Sequence, residues 1–248
     1  MFPRSDRGSL GIVPYLMAGF PDSPRCVEAA RSLVATGISA LELGIPFSDP
    51  LADGPVIQAA GQAALDGGMT VAGCLEIAAA VSGRTPIVLM SYVNPILSYG
   101  PDRFATDAAA AGVSGVILPD LPPEEAGSVA ACLHGEGLAT IFLVAPTSSD
   151  DRIASICAAS SGFVYCVTLT GITGIRVELP PGVGALLDRV RARTELPVAA
   201  GFGISRPEHL ASLRGRADAA VVGTAIVREV AEGRDPARLV EELLAACP

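Results

Sequence analysis

The sequence predicts an α/β fold, a single (β/α)8 barrel of the TIM type spanning residues 1–248, and three observations predict it. Eight short apolar runs recur along the chain, spaced by roughly one βα unit each. Helical patterns with marked starts fill the intervals. No linker, charge block or low-complexity tract divides the 248 residues, a length that one barrel accommodates. The runs are continuously apolar rather than alternating, which is the pattern of parallel strands covered by helices. An open doubly wound sheet is the alternative fold.

Taken in order, the runs begin with GIVPYLMAG from Gly11, and the helix after it is marked by Ser23 before Pro24. ISALELGIP from Ile38 and PIVLMSY from Pro86 follow, and Gly100 before Pro101 marks another helix start. Next come SGVILPD from Ser114, ATIFLVAP from Ala139 and FVYCVTL from Phe163. LPVAAGFG from Leu196 precedes Ser205 and Glu208, which have capping-box spacing, and AAVVGTA from Ala219 precedes a last helix starting at Asp235 and Pro236. Proline suits the first helical turn because its missing N–H and fixed φ cost nothing there.

Half the residues are apolar, aromatics are only 4% and Trp is absent, so the core must be built from Ala, Val, Leu and Ile. A formal net charge of -9 argues against a nucleic-acid or anionic-membrane surface, either of which needs clustered basic residues. Any phosphate is therefore bound locally. The opening MFPRSDRGSLG has no apolar signal-like stretch and no later segment is a long unbroken apolar run, so the expectation is neither export nor a membrane span, and a cytoplasmic location. Cys26, Cys74, Cys132, Cys157, Cys166 and Cys247 lack the paired spacing of zinc or redox motifs and read as reduced, mostly buried thiols.

Two absences narrow the chemistry. All 17 basic residues are Arg, and without lysine neither Schiff-base catalysis nor covalent pyridoxal phosphate attachment is available. Only His134 and His209 occur, each in a helical pattern and each read as a surface residue, so no metal site is expected and a Ser-His triad is disfavoured.

Against that background Glu42, inside the run ISALELGIP, demands an explanation. Strand neighbours point to opposite faces, so if Leu41 and Leu43 face helices, Glu42 faces the barrel interior. A buried carboxylate needs hydrogen bonds, a partner charge or a raised pKa. An interior Arg would make it structural, but none of the eight runs contains one. Asp53 follows in SDPLADGP, on the side where barrels keep their active sites. Alone it reads as a turn residue, as does Asp49; beside Glu42 it completes a pair able to divide acid and base roles. GFGIS and GTAIV, after the last two runs, place small residues and helix starts where barrels commonly bind phosphate. TLTGITGIR, with Gly171 and Gly174, reads either as a mobile polar flap or as an ordinary glycine turn.

On these residues the sequence resembles the α subunit of tryptophan synthase. The most specific segment is LELGIPFSDPLADGPVIQ, Leu41 to Gln58, and PYLMAGFPD, SYVNPIL, LPDLPPEE, LVAPT, TGITG, GFGIS and GTAIV extend the resemblance along nearly the whole chain. The resemblance implies retro-aldol cleavage of indole-3-glycerol phosphate to indole and glyceraldehyde 3-phosphate. It implies that Glu42 protonates indole C3 and takes the proton from the glycerol hydroxyl, and that Asp53 accepts the indole N–H. Tyr165 would hold Glu42; Tyr15, Tyr92 and Phe202 would pack near the indole; Thr173 would close toward Asp53. Gly174, Gly203, Gly223 and Thr224 would hold the phosphate. No cofactor is implied in this chain, pyridoxal phosphate being expected only in a partner β subunit that docks on the loops. A stand-alone lyase and an inert subunit that only activates a β partner are the other functions these residues raise. The departures are a short N-terminal segment, which lacks most of the helix that covers the barrel's N-terminal end, and Phe20, Val93, Cys166 and Thr224 in place of more usual residues.

Overall fold

The structure is a computed structural model that describes residues 1–4, 9–83, 85–167, 182–201 and 203–246. Strand β1 (Gly11–Met17) leads through α1 (Ser23–Ala35) to β2 (Leu41–Gly44), and α2 (Pro55–Asp66) and α3 (Val71–Val81) connect β2 to β3 (Ile87–Met90). Helices α4 (Val93–Tyr99) and α5 (Pro101–Ala110) precede β4 (Val113–Ile117), and α6 (Gly127–Gly135) precedes β5 (Ala139–Ile141) and β6 (Leu143–Val144). Then come α7 (Asp150–Ala159), β7 (Val164–Val167), α8 (Val183–Arg191), β8 (Val198–Gly201), α9 (Pro207–Ala211), β9 (Ala219–Val222), α10 (Thr224–Ala231) and α11 (Ala237–Ala245).

All pairings are parallel, and the strand order is β5-β4-β3-β2-β1-β9-β8-β7-β6. The two end strands are halves of one predicted run, interrupted only at Phe142. Its first half pairs with β4 and its second with β7, while the Phe142 carbonyl accepts from Tyr165 N–H at 3.2 Å. The fifth run thus joins both edges and the (β/α)8 barrel closes.

Two apolar layers follow from strand alternation. Leu41, Leu43, Ile87 and Leu89 face outward onto helix residues such as Leu33, Ile77 and Phe104. Val13, Ala40, Val88, Ile117, Phe163 and Val221 fill the interior. Phe2 belongs to that inner cluster, only 6% exposed, its ring centroid 5.1 Å from that of Phe163. The end of the barrel that the resemblance left largely uncovered is therefore filled by Phe2. Nearby, Arg4 pairs with Glu195 and donates to the Thr194 carbonyl.

Some helix starts differ from expectation. Asp22, not Ser23, caps α1, its carboxylate accepting from Arg25 N–H at 2.9 Å. Gly100 caps α5 as expected, and Asp235 accepts from Ala237 N–H at 3.0 Å. The Ser205–Glu208 capping box does not form, because His209 Nδ1 accepts the Ser205 N–H at 3.3 Å and Arg206 is the N-cap. His209 is accordingly buried, at 2% exposure, correcting its reading as a surface residue, whereas His134 is exposed. Cys26, Cys74, Cys157 and Cys166 are buried free thiols and Cys132 is half-buried; Cys247 lies outside the described residues.

Candidate active site

The interior above the Phe2 plug opens at the C-terminal ends of the strands as a cavity of about 430 Å³. Glu42, Asp53, Tyr15 and Tyr165 line it, as do Gly203, Gly223 and Thr224 at the rim. Parity puts Glu42 there: Leu41 and Leu43 lie in the outer layer and Ala40 in the inner one, so Glu42 shares the inner face. Lateral register sets Tyr15 of β1 beside it.

Glycine makes room for both tyrosines. A Cβ on Gly44 would fall 2.0 Å from Tyr15 Oη, and one on Gly201 would fall 2.6 Å from the Tyr165 ring. Only a residue without a side chain lets each ring lie against the neighbouring strand.

Glu42 is 1% exposed, and its Oε2 is buried with no hydrogen-bond partner among the described residues. Burial, reinforced by the Asp53 charge, pushes its carboxyl up to about 8. Burial also pushes Asp53 up, to about 6, against the lowering effect of a hydrogen bond from Tyr92. Between those values Glu42 holds a proton and Asp53 does not, so the pair offers an acid and an ionised acceptor in one cavity. The hydroxyls of Tyr15 and Tyr165 are held well above the ordinary tyrosine range by burial and by the two carboxylates, and stay protonated.

Gly203 has a left-handed φ of 71°, which suits glycine, and Thr224 begins α10 with Gly223 as its N-cap. The first backbone N–H groups of α10 lack intrahelical partners, so the positive end of the helix lies at the cavity rim. The structure thus gathers Glu42, Asp53, Tyr15, Tyr165, Gly203, Gly223 and Thr224 around one space. Tyr92 does not line that space; it sits behind the loop after β2, its hydroxyl accepting from Ala52 N–H at 2.9 Å. Thr173, Gly174, Phe202 and the rest of the 168–178 loop lie outside the described residues.

Sequence reasoning did not name the apolar wall: Ile57, Met90, Leu143, Val167 and Val221 give the cavity flanks suited to a planar ring. Met90 and Val167 end their strands, and that position was the available signal. Another groove, of about 490 Å³, lies between α1 and the α10–α11 turn. Of its lining residues, Ser32 pairs with Asp235 at 2.7 Å, while Arg234 and Arg25 pair with carboxylates outside the lining, Glu229 and Glu232 for the first and Asp22 for the second.

A sequence model of the family described as tryptophan synthase alpha chain matches residues 4–247. The chain belongs to that family. A tryptophan synthase alpha chain of Solibacter usitatus is 47% identical over 242 residues, covering 97% of this chain and 90% of the relative. One from a Roseiflexus species is 48% identical over 226 residues, covering 90% and 87%. Among solved structures, Mycobacterium tuberculosis tryptophan synthase superposes with a TM-score of 0.91 at 40% identity, covering 96% of this chain and 93% of that one. A mutant tryptophan synthase α-subunit from Pyrococcus furiosus does so with a TM-score of 0.88 at 38% identity, covering 97% and 100%.

Proposed function

We infer that this chain is the α subunit of tryptophan synthase, a carbon–carbon lyase of tryptophan biosynthesis that cleaves indole-3-glycerol phosphate to indole and glyceraldehyde 3-phosphate. The observation that carries the reading is the meeting in one cavity of Asp53 and a buried Glu42 whose Oε2 has no hydrogen-bond partner among the described residues, and burial, which raises both carboxyls, supports their division into acid and acceptor.

The Glu42 carboxyl donates its proton to indole C3, while the Asp53 carboxylate accepts the indole N–H and stabilises the positive charge developing on the ring. Glu42, now a carboxylate, takes the proton from the hydroxyl on the carbon attached to C3. That oxygen's electrons form the aldehyde C=O, the C–C bond breaks, and its electron pair neutralises the indolenium to give indole. The proton returns to Glu42, so the residue ends as it began. Protonated indole is itself the electron sink, which is why a chain without lysine suffices. Tyr15 and Tyr165 wall the ring, and Gly203, Gly223, Thr224 and the start of α10 hold the phosphate at the rim. Gly174, Thr173 and Phe202 join the site on the family pattern alone.

The scheme asks for no cofactor in this chain. A pyridoxal phosphate-dependent β subunit is the proposed partner. Among the described residues the exposed large hydrophobics are Met1, Leu51, at 92%, and Leu97, at 51%. Leu51 lies on the loop after β2 and lines the cavity, and Leu97 lies on α4. A protein surface covering them would bury side chains that otherwise stand in water. Among the described residues no single helix is long and apolar enough to cross a membrane, and with reduced, scattered cysteines this supports the cytoplasm as the working compartment.

The test is indole release from indole-3-glycerol phosphate by the purified chain, alone and titrated with a β subunit. Cleavage that rises with β supports the subunit assignment. A high rate unchanged by β points to a stand-alone lyase, and no cleavage under either condition overturns the enzymatic reading.

A further inference from the structure

The two halves of the cavity rim are built differently. Gly223 and Thr224 open the eight-residue helix α10, where the Gly223 carbonyl accepts from Val227 N–H at 3.1 Å. Gly203 stands instead on the loop between β8 and α9, with its left-handed φ of 71°, and lines the same cavity. Among the described residues, Gly203, Ile204 and Ser205 make no backbone–backbone hydrogen bond. Two other contacts hold this turn. Ile204, 2% exposed, packs into the outer apolar layer, and the Ser205 N–H donates to His209 Nδ1 at 3.3 Å.

The imidazole is fixed on its own element. His209 is buried in α9 next to the wholly buried Leu210, and its carbonyl accepts from Ser212 Oγ at 3.0 Å. A ring nitrogen that accepts is unprotonated, so in the neutral imidazole Nε2 carries the proton. That Nε2 is buried with no partner among the described residues, and so is Ser205 Oγ. An unpaired buried N–H is destabilising, and an apolar side chain would avoid it. What histidine supplies here, and an aliphatic residue cannot, is the acceptor at Nδ1. The third buried side-chain atom in the same condition is Glu42 Oε2. Among the described residues, the uncompensated polar groups therefore gather in the cavity and at the turn on its rim, as stored strain does at working sites.

We propose that His209 is a positioning residue for phosphate recognition: by accepting the Ser205 N–H it holds residues 203–205 so that Gly203 faces the cavity rim. This rests on the phosphate role proposed above for the rim and adds to it a side chain that does not line the cavity. The effect falls on binding rather than on proton transfer, because Glu42 and Asp53 stand on β2 and the loop after it.

The test begins with nitrogen-15 NMR of the full chain. The sequence holds two histidines, and His134→Gln, a change at an exposed site, leaves His209 as the remaining imidazole. Its Nδ1 should be unprotonated and its Nε2 protonated, and saturating inorganic phosphate should shift the Nδ1 signal. His209→Leu, which keeps a branched apolar side chain and removes the acceptor, should raise both the KM for indole-3-glycerol phosphate and the Kd for inorganic phosphate about 5- to 10-fold, with kcat within about twofold. His209→Asn, whose Oδ1 stands where Nδ1 stood, should restore most of both. A proton on Nδ1, or an Nδ1 signal indifferent to phosphate, overturns the proposal without any change at His209 itself. Unchanged phosphate affinity in folded His209→Leu overturns it too, as do equal losses in the Leu and Asn variants. A wild-type chain that releases no indole while His209→Leu still weakens phosphate binding overturns the lyase reading and leaves this role standing, so the two fail separately.

Discussion

At the scale of the residue, the cavity makes opposite demands on two carboxyls. The proposed mechanism needs Glu42 protonated and Asp53 ionised, so on it kcat/KM should be bell-shaped, rising near pH 6 and falling near pH 8 as the pair titrates together. Glu42→Gln or Asp53→Asn should lower indole formation about 10²- to 10⁴-fold, with circular dichroism unchanged. A variant near wild-type turnover would remove that residue from proton transfer or charge stabilisation. Folding stability carries the same signature. A carboxyl whose folded pKa lies above its unfolded value binds its proton more tightly when folded, so stability is full below the unfolded value of 4.5 and is lost as pH climbs toward about 8. Urea denaturation of the wild type should show a decline on the order of 4–5 kcal/mol from Glu42 across that window; Glu42→Gln should lose that part and keep a smaller decline below about pH 6 that belongs to Asp53. A stability that rises through the window would contradict the buried, protonated state. Glu42 was legible from sequence because parity in a strand is a local rule. The grip of Tyr92 on Ala52 was not, because it joins loops 40 residues apart through one hydroxyl.

At the scale of the element, the eight runs were legible because each is continuously apolar, and their order predicted the barrel. The interruption at Phe142 was not, since ATIFLVAP has no residue that breaks a strand; it falls between a half that pairs with β4 and a half that pairs with β7, a division the run itself does not display. The capping of α9 was misread for a related reason. Ser205 and Glu208 have the spacing of a capping box, but His209 reaches the Ser205 N–H first. Glycines at strand ends are a subtler element-level device. Gly44→Ala should displace the Tyr15 ring toward Glu42, cost roughly 1–3 kcal/mol and lower turnover. Gly201→Ala should do the same through Tyr165. Thermal melts and indole assays on both variants check this; normal stability and turnover in both would mean that the rings have space elsewhere.

At the scale of the whole molecule, the inner layer is continuous from Phe2 through Phe163 to Tyr165, with ring centroids 5.1 and 6.2 Å apart, and then gives way to the cavity. Phe2→Ala should lower stability by about 3 kcal/mol in chemical denaturation, while turnover per folded molecule changes little, because the ring lies at the end of the barrel opposite the cavity mouth. A large loss of turnover in fully folded Phe2→Ala would show that the layers are coupled. The segment before β1 has no periodic pattern, so nothing in the sequence marked Phe2 as core.

A barrel stoppered at one end is a cul-de-sac, and that dictates how a long substrate travels. On the proposed roles the aromatic ring must go in first and the phosphate last, and Gly203, Gly223 and Thr224 at the rim would then act as a depth stop, halting the ring level with Glu42. A shorter or longer linker between ring and phosphate would place the wrong carbon before the acid. The same geometry governs departure: once the carbon–carbon bond breaks, the triose phosphate stands at the doorway and the indole behind it. Whatever covers the doorway therefore decides which fragment leaves first.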